Sequence, residues 1–520
     1  MTSFSLNKKV GLAALIMMVS VLLSRVIGLL REMVIARYGG AAAEVDAYNI
    51  AFIIPEILNH VAASGFLSVT FIPIFSKYLA QQREPEGWRV FSTILSVFGI
   101  VLVILIAITW LLVPRLVPLL APGIENPEVL RSAARMTRII LPAQLFFFAG
   151  GLLMAAQFAK EQFKLPALAP LIYNLGIILG GVVLFRWVRM EGFAWGALIG
   201  ALMGNLALQY FGARAAGMKF SFHFDLHHPD LKKYLLLTLP LMVGLTMTFS
   251  TEFFARFFGS YLPEGGVAAL NYALRIMFIL VGFFGQAAGV AAYPYLARLA
   301  AEGRIGEMNQ LLNATLRRYI ALVIPFSALL IVLRHEVIFL LFQRGRFDAL
   351  ATARTAEALA FLAIGAFAFA AQTVVVRGYY AMQNTLFPTL FGTLAVAASL
   401  PLYWIGVQKF GNKGLALAIA VSAIIQVVLL YTLWNRRSEN QGGGQVYAFF
   451  TKIILLSALL GIGLHWFKFN FLLIITQNTF WGNLFVCAII ATIFFAAFAG
   501  IGYVFRVREI VSIVQRVLRR

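Results

Sequence analysis

Charged residues inside an apolar stretch are the first candidates for a functional site in this chain. Residues 10–24 are apolar enough to enter a membrane, and Arg25, Arg31 and Glu32 then follow in the same helical pattern, with Asp46 beyond a Gly-Gly break. Arg25 and Arg31 are six residues apart, so their side chains point to neighbouring faces of a helix. An ionised side chain at membrane depth is costly. These arginines therefore need water, a partner or an anionic ligand, unless they reach the membrane interface.

A second set of charges lies more than 200 residues further along the chain. Glu252 and Arg256 are four residues apart in one apolar stretch, and Arg275 lies in the next. The i, i+4 spacing also allows Glu252 and Arg256 to neutralise each other within a helix. Asn59 and His60 are polar residues in the middle of an earlier apolar stretch. His60 is either a core histidine bonded to a neighbour or a residue that lines a cavity.

Arginines that outnumber carboxylates at membrane depth favour the binding of a phosphate-bearing ligand. Arginine binds phosphate oxygens through two parallel hydrogen bonds and stays charged in a medium of low dielectric constant. The chain has no Walker loop, no His-Glu-x-x-His motif and no nucleophile elbow. Its single cysteine, Cys487, excludes a disulfide framework and a multi-cysteine metal site. We therefore expect a binding protein with no enzymatic activity, no cofactor and no metal.

Composition defines the elements that must position these residues. Of the 520 residues, 61% are hydrophobic and 12% are charged, whereas a soluble protein has roughly 25% charged residues. The basic residues are dispersed between apolar runs, although the net charge is +21, so nucleic acid is not an expected partner. Apolar windows of about 20 residues predict a polytopic membrane protein. About fourteen spans are predicted, at 10–36, 46–78, 90–114, 130–158, 164–186, 192–215, 231–259, 267–299, 308–343, 352–382, 386–408, 413–434, 447–468 and 480–505.

Lysine and arginine in the loops predict the orientation of these spans. They are more frequent on the side that carries the N-terminus. We therefore expect the chain to lie in a bacterial inner membrane, with both termini in the cytoplasm. Residues 508–520 alternate basic and apolar positions with a helical period. This pattern predicts an amphipathic helix on the inner membrane surface.

The chain contains an internal repeat. Phe71–Lys77 is similar to Ala292–Arg298 at an offset of 221 residues, and Gln162–Pro166 is similar to Asn384–Pro388 at an offset of 222. Six predicted spans separate equivalent points, so the two halves have the same orientation and form parallel repeats.

The repeat predicts an all-α fold with two lobes. The expected lobes are residues 1–217 and residues 218–437, each with six helices, around a central cationic cavity. Residues 438–520 add two helices and the basic tail. The composition of Ser438–Gln445 predicts a flexible linker before these last helices.

The ordered set of short motifs resembles the MurJ/MviN family of lipid II flippases, in the multidrug/oligosaccharidyl-lipid/polysaccharide exporter superfamily. The resemblance covers about residues 8–435. The matching segments are Ser24–Glu32, Asp46-Ala47, Phe71–Pro73, Leu120–Gly123, Pro166–Asn174, Leu262–Gly265, Ala269–Ala273, Leu341–Asp348 and Gly378–Ala381.

The resemblance implies movement of lipid II, a polyprenyl pyrophosphate that carries a disaccharide-pentapeptide, from the inner to the outer leaflet. It implies substrate-binding roles for Arg25, Arg31, Arg256 and Arg275, and charge-balancing roles for Glu32, Asp46 and Glu252. The chain departs from the family at Asn59, His60 and Ser64, where the family has a second-helix arginine pair followed by a glutamate. Either one phosphate ligand is absent here, or His60 replaces it when protonated, and Asn59 and His60 stay candidate substrate-binding residues. It departs again at Ala255, where the family has an acid. Some family members have acidic or amide sodium ligands in the eleventh span; residues 386–408 here include no acidic residue and a single amide, Gln408, at the end of the span, so we predict no sodium site there.

Two other functions remain open from the sequence. One is a flippase for another polyprenyl-linked oligosaccharide. The other is a protein that transports nothing, either a membrane scaffold of glycan synthesis or an integral-membrane transferase. The expected partners are the glycolipid and membrane lipid, and we expect a monomer.

Overall fold

The computed structural model describes residues 3–60, 66–222, 224–244, 246–472 and 479–518. Within these ranges the chain is almost entirely helical, and they contain no β-strand. A backbone surrounded by lipid must satisfy its own hydrogen bonds, and long apolar segments do so as helices. The predicted all-α class is confirmed.

The first half of the chain contains eleven α-helices in the described residues. A π-helical turn at Leu202–Ala207 continues α9 into α10. The helices are α1 (Ser3–Gly39), α2 (Ala43–Ala51), α3 (Ile53–Leu58), α4 (Phe66–Ala80), α5 (Glu84–Leu120), α6 (Pro127–Ile140), α7 (Ala143–Ala159), α8 (Lys164–Val188), α9 (Glu191–Ala201), α10 (Leu208–Ala215) and α11 (Pro229–Gly244).

Ten more α-helices follow in the described part of the second half. Two π-helical turns, Gly282–Gln286 and Lys468–Leu472, follow α13 and α19. The helices are α12 (Thr246–Gly259), α13 (Gly266–Val281), α14 (Ala287–Ala301), α15 (Ile305–Val332), α16 (Arg334–Phe342), α17 (Ala349–Ala381), α18 (Leu386–Arg437), α19 (Gly443–Phe467), α20 (Phe480–Val504) and α21 (Arg508–Leu518).

The helices agree with the predicted spans. Among the described residues, ten helices are long and apolar enough to cross a membrane. One of these, α18, contains two predicted spans, because its backbone turns at Gly411 (φ 57°, ψ −134°). The first, second and seventh predicted spans correspond to α1, to α2–α4 and to α11–α12. In the described ranges, each predicted span therefore coincides with helical residues.

Pro55 accounts for the break between α2 and α3. Proline has no backbone N–H, so the carbonyl of Ala51 loses its partner four residues later. The buried hydroxyl of Thr137, on α6, donates to that carbonyl at 3.2 Å. The same hydroxyl lies 2.8 Å from the Ala133 carbonyl of its own helix, so its one proton is shared between two acceptors, and the contact joins α2 to α6.

Backbone geometry confirms the internal repeat. The helices α4 and α14 each have 15 residues, and α14 lies 221 positions after α4. Positive φ angles are uncommon outside glycine, yet they occur at equivalent turns in both halves, 221 or 222 residues apart. The pairs are Gln82 with Gly303, Glu161 with Gln383, Arg189 with Gly411, and Gly217 with Glu439.

The chain forms two compact units, Met1–Phe249 and Ser250–Arg520. In the first unit, α11 packs on α4 and α5. Tyr234 of α11 is fully buried in a cluster that includes Phe71, Phe75 and Trp88. The predicted lobe boundaries after residues 217 and 437 stay a prediction.

Glycines fix α8 against α9 in the first unit. A Cβ added at Gly196 would lie 2.5 Å from the carbonyl oxygen of Gly176, and one added at Gly180 would lie 2.4 Å from the Cα of Gly196. Small residues with a four-residue spacing let membrane helices approach closely. This contact fixes the position of α8, which contributes a polar side chain to the candidate site.

The segment Ser438–Gln445 is not the flexible linker that its composition predicted. Asn440 and Asn313 exchange side-chain hydrogen bonds of 2.9 and 3.0 Å, and Asn440 also donates to the Oδ1 of Asn435 at 2.7 Å. The hydroxyl of Tyr431 donates to Asn313 at 2.7 Å. Composition misled the prediction because these amides bond buried groups that lie far away in the sequence.

The last helices pack on the second unit. Helix α19 lies against α15, and α20 lies against α16. The ammonium group of Lys468 is 2.7 Å from the carboxylate of Glu336, and both side chains are largely buried. The predicted C-terminal helix is confirmed as α21, whose Glu509 lies 3.6 Å from the Nε of Arg317 on α15.

Candidate functional site

Arg31 is the centre of the candidate site in the first unit. Its Nη2 lies 2.5 Å from the Oε1 of Glu32, and its Nη1 donates to the Oδ1 of Asn174 on α8 at 3.0 Å. Asn174 in turn donates its Nδ2 to the carbonyl of Pro170 at 2.8 Å. This last bond fixes the amide with its oxygen towards Arg31. The guanidinium is therefore positioned by two helices, α1 and α8.

Because Glu32 is buried, its carboxylate needs the positive charge of Arg31 beside it. Glu32 is only 4% exposed, and a buried carboxylate needs a paired cation or hydrogen bonds. The Arg31 side chain is 18% exposed, and its buried Nε has no hydrogen-bond partner among the described residues. Guanidinium has five N–H donors. Arg31 is thus fixed and neutralised, and it keeps donors for an incoming anion.

The other predicted residues of the first unit lie on α1 to α3. Arg25 is half-buried on α1. Asp46 is buried in the first turn of α2, where a carboxylate is favoured by the positive end of the helix dipole. Asn59 and His60 are half-buried after α3, and the Nδ1 of His60 lies 2.7 Å from the Glu56 carbonyl.

The hydrogen bond between His60 and the Glu56 carbonyl determines which ring nitrogen of His60 carries a proton. A carbonyl oxygen only accepts a hydrogen bond, so the Nδ1 of His60 carries the proton. The other ring nitrogen, Nε2, donates to an anion only when the imidazole is protonated. His60 as a replacement for an arginine stays a prediction.

The predicted residues of the second unit come together in one place. Glu252, Arg256 and Arg275 line a small cavity of about 10 Å³ between α12 and α13. Arg256 is 5% exposed, and its Nη2 lies 3.5 Å from the Oε2 of Glu252. Ala255, the position where the resembling family has an acid, lines the same cavity. Glu252, one turn earlier, is the carboxylate that faces Arg256 here.

Two amides belong to these groups but were not among the predicted site residues. Asn174 contacts Arg31, and Asn271 lines the cavity with Arg256. Both are single amides within apolar spans, and that placement is the signal that could have identified them. The first-unit and second-unit groups lie in different compact units. In the ranges that the structure covers, no three His, Cys, Asp or Glu residues are placed to hold a metal ion.

Sequence comparison finds a family match over most of the chain. The model of the family described as "Lipid II flippase MurJ" matches residues 35–492. The chain is 27% identical over 457 residues to the lipid II flippase MurJ of Burkholderia cenocepacia, which covers 86% of this chain and 88% of the relative. It is 27% identical over 503 residues to the probable lipid II flippase MurJ of Rhizobium meliloti, with 92% and 91% covered.

Solved structures share the fold. A lipid II flippase MurJ in an inward closed conformation superposes with a TM-score of 0.74 at 23% identity and covers 93% of this chain and 99% of its own. An inward-facing multidrug resistance MATE family transporter superposes with a TM-score of 0.67 at 14% identity, covering 82% and 95%. At these identities the likeness concerns the fold alone.

Proposed function

Because the chain belongs to the lipid II flippase MurJ family, we propose that it moves lipid II from the inner to the outer leaflet of the bacterial cytoplasmic membrane. Both of its termini lie in the cytoplasm. The observation that carries this proposal at the level of residues is the Arg31 guanidinium, held by Glu32 and Asn174 within a membrane-spanning helix.

The pyrophosphate of the cargo is the group that Arg31 binds. A buried guanidinium with a carboxylate partner is stable while the site is empty. An arriving pyrophosphate offers several oxygens and a higher negative charge than one carboxylate, so it competes with Glu32 for the guanidinium. Binding therefore exchanges an internal partner for the ligand, and release restores the internal pair.

Arg256 and Arg275 provide a second cationic group. The Arg256–Glu252 distance of 3.5 Å is longer than that of the Arg31–Glu32 pair, and Glu252 is the more exposed partner. The Glu252 carboxylate is therefore the one of the two that water reaches more easily. Arg25, Asn59 and His60 contact the bound ligand as further donors, and Asp46 balances the positive charge when the site is empty.

Transport proceeds by alternating access, which a parallel repeat supports by providing two similar halves. The inside-negative membrane potential favours outward movement of an anionic cargo by about 2.3 kcal/mol per charge per 100 mV. We propose no catalytic step.

The departure at Asn59 and His60 favours one alternative cargo. A site with one arginine fewer suits a polyprenyl-linked oligosaccharide of another type, such as an exopolysaccharide or O-antigen unit. This alternative retains the flippase mechanism and changes only the glycan.

Complementation separates the two cargoes. The gene is expressed in a strain depleted of its own lipid II flippase, and growth and cell shape are followed. We expect rescue by the wild-type chain and none by Arg31→Ala at equal membrane abundance, with the exposed Arg37→Ala as the matched control. A well-inserted wild-type chain that never rescues such a strain, but restores export of another glycan, would establish the alternative.

A further inference from the structure

A cavity in the first unit lies away from the arginine groups considered so far. It has a volume of about 630 Å³ and opens to solvent. Its walls come from the start of α2, the first half of α6 and the turn between α8 and α9. With both termini in the cytoplasm, each of these chain segments lies at the outer end of the unit. The predicted site residues are not among those that line it.

The lining carries equal numbers of opposite charges. Arg135 lies 2.6 Å from Glu191, Arg189 lies 3.7 Å from Glu44, and Arg131 lies 4.0 Å from Glu128. All six charged residues line the cavity. A polyanion such as pyrophosphate would favour a surplus of cations. A lining with three positive and three negative groups instead favours a ligand that carries charges of both signs.

The three ion pairs are suited to exchange with a ligand. The side chains of Arg131, Arg135 and Arg189 are 68%, 61% and 71% exposed. Exposed pairs of this kind contribute about 0–1 kcal/mol each, so a ligand that replaces one partner loses little. Each arginine can then bind a ligand carboxylate, and each glutamate can bind a ligand ammonium group.

The remaining walls fit a short peptide. Trp187 is 73% exposed and offers an aromatic face at the rim of the cavity. The volume lies within the range of about 300–1,000 Å³ that is usual for small-ligand sites.

We propose that this cavity is a binding site for a short zwitterionic peptide with free carboxylates and a free ammonium group. Such a peptide is the pentapeptide of the translocated glycolipid when it reaches the outer leaflet. This identification of the ligand rests on the proposed function. The site holds the peptide at the outer face while the pyrophosphate leaves the membrane-spanning arginines.

Binding of the free peptide tests this site without any transport. The probe is the pentapeptide of lipid II with its N-terminus acetylated, because that nitrogen is an amide in the glycolipid, and it is added without sugar or lipid to the detergent-solubilised full-length chain and measured by calorimetry. We expect Arg131→Ala and Arg135→Ala each to weaken its binding by about tenfold, the effect of losing one charge-assisted hydrogen bond. Arg214→Ala is the matched control, because Arg214 is an exposed arginine of the same unit that does not line the cavity, and it should bind as the wild type does.

Competition identifies the source of the peptide. Intact lipid II should displace the labelled pentapeptide, whereas a polyprenyl pyrophosphate without sugar and peptide should not. The proposal is overturned if the folded wild-type chain does not bind the peptide, if both cavity variants bind it as tightly as the Arg214→Ala control, or if polyprenyl pyrophosphate displaces it equally well. The Arg131→Ala variant keeps the test valid if Arg135→Ala does not fold, because the Arg131 pair is long and exposed. A failure of lipid II transport would leave these binding results unchanged, so the two proposals can fail separately.

Discussion

Arg31→Ala should abolish lipid II transport, but it should also destabilise the protein, and the two effects must be separated. Glu32 is 4% exposed and lies 2.5 Å from the guanidinium. Removing one partner of a buried ion pair costs about 3–5 kcal/mol, because the other charge is left uncompensated. The loss also leaves the Oδ1 of Asn174 without this donor. A transport defect in the single variant alone would therefore not identify a binding residue.

The double variant Arg31→Ala/Glu32→Gln separates stability from binding. Glutamine keeps the shape of Glu32 and removes its charge, so the penalty for an unpaired buried carboxylate disappears. We expect the double variant to regain about 2 kcal/mol over the single variant, within the coupling energies found for directly paired residues. Thermal unfolding of the purified protein in detergent measures this difference.

Transport should not recover with stability. Arg31 offers at least two charge-assisted hydrogen bonds to a pyrophosphate, each contributing about 1.5–3 kcal/mol. Losing about 3 kcal/mol slows flipping by roughly 100-fold. The assay is leaflet accessibility of labelled lipid II in proteoliposomes. Arg31→Lys should flip at an intermediate rate, because lysine keeps the charge but lacks the planar guanidinium that contacts Glu32 and Asn174 together.

The control is Arg37→Ala, which removes an exposed arginine from the same helix. It should change stability by less than about 0.5 kcal/mol and leave flipping at the wild-type rate. The reasoning is refuted if the double variant, folded and inserted, flips lipid II as fast as Arg37→Ala.

Three further predictions concern the contacts that hold the helices in place, and thermal unfolding of the purified protein measures each of them. Lys468→Ala should destabilise the protein by about 3–5 kcal/mol, because Glu336 stays buried without its cation. The paired change Lys468→Met/Glu336→Leu should recover most of that loss. Equal stability of the single and the double variant would contradict a buried ion pair. Asn440→Ala should cost about 1–3 kcal/mol, since it leaves buried amide groups unsatisfied, and no change in melting temperature would support a flexible linker instead. Gly196→Leu should separate α8 from α9 and destabilise by about 1–3 kcal/mol or more, whereas Gly99→Leu, where an added Cβ meets nothing within 4 Å, should be tolerated.

Local patterns were sufficient to predict the helices and the repeat. Apolar runs longer than a bilayer requires can only be helices in lipid, and the motifs around Pro73 and Pro294 lie at equivalent places in α4 and α14. The Glu252–Arg256 pair was also predictable, because a four-residue spacing places the two side chains on the same face of a helix.

Long-range pairings were not predictable in the same way. The partner of Arg31 on α8 is 143 residues away in the sequence, and one sequence taken by itself carries no signal that joins them. The amides around Asn440 failed as a prediction for the same reason, since their polar composition indicates a solvated loop until their buried partners are known.

The cavity at the outer end of the first unit was not predicted from the sequence, because two of its arginines lie inside a predicted span. Arg131 and Arg135 are four residues apart in the stretch 130–158, so they occupy one face of α6. Their partners are Glu128 on the same helix and Glu191 at the start of α9. A charged face within an otherwise apolar span is a pattern that indicates a functional helix, but it does not predict the cavity.

The most direct test of the proposed function is lipid II flipping by the purified wild-type chain in proteoliposomes of bacterial lipids. We expect labelled lipid II to exchange between leaflets much faster in these vesicles than in protein-free ones, and a polyprenyl-linked O-antigen unit to remain in its leaflet. Exchange of lipid II at the protein-free rate, by a chain that is folded and inserted, would contradict the proposed function.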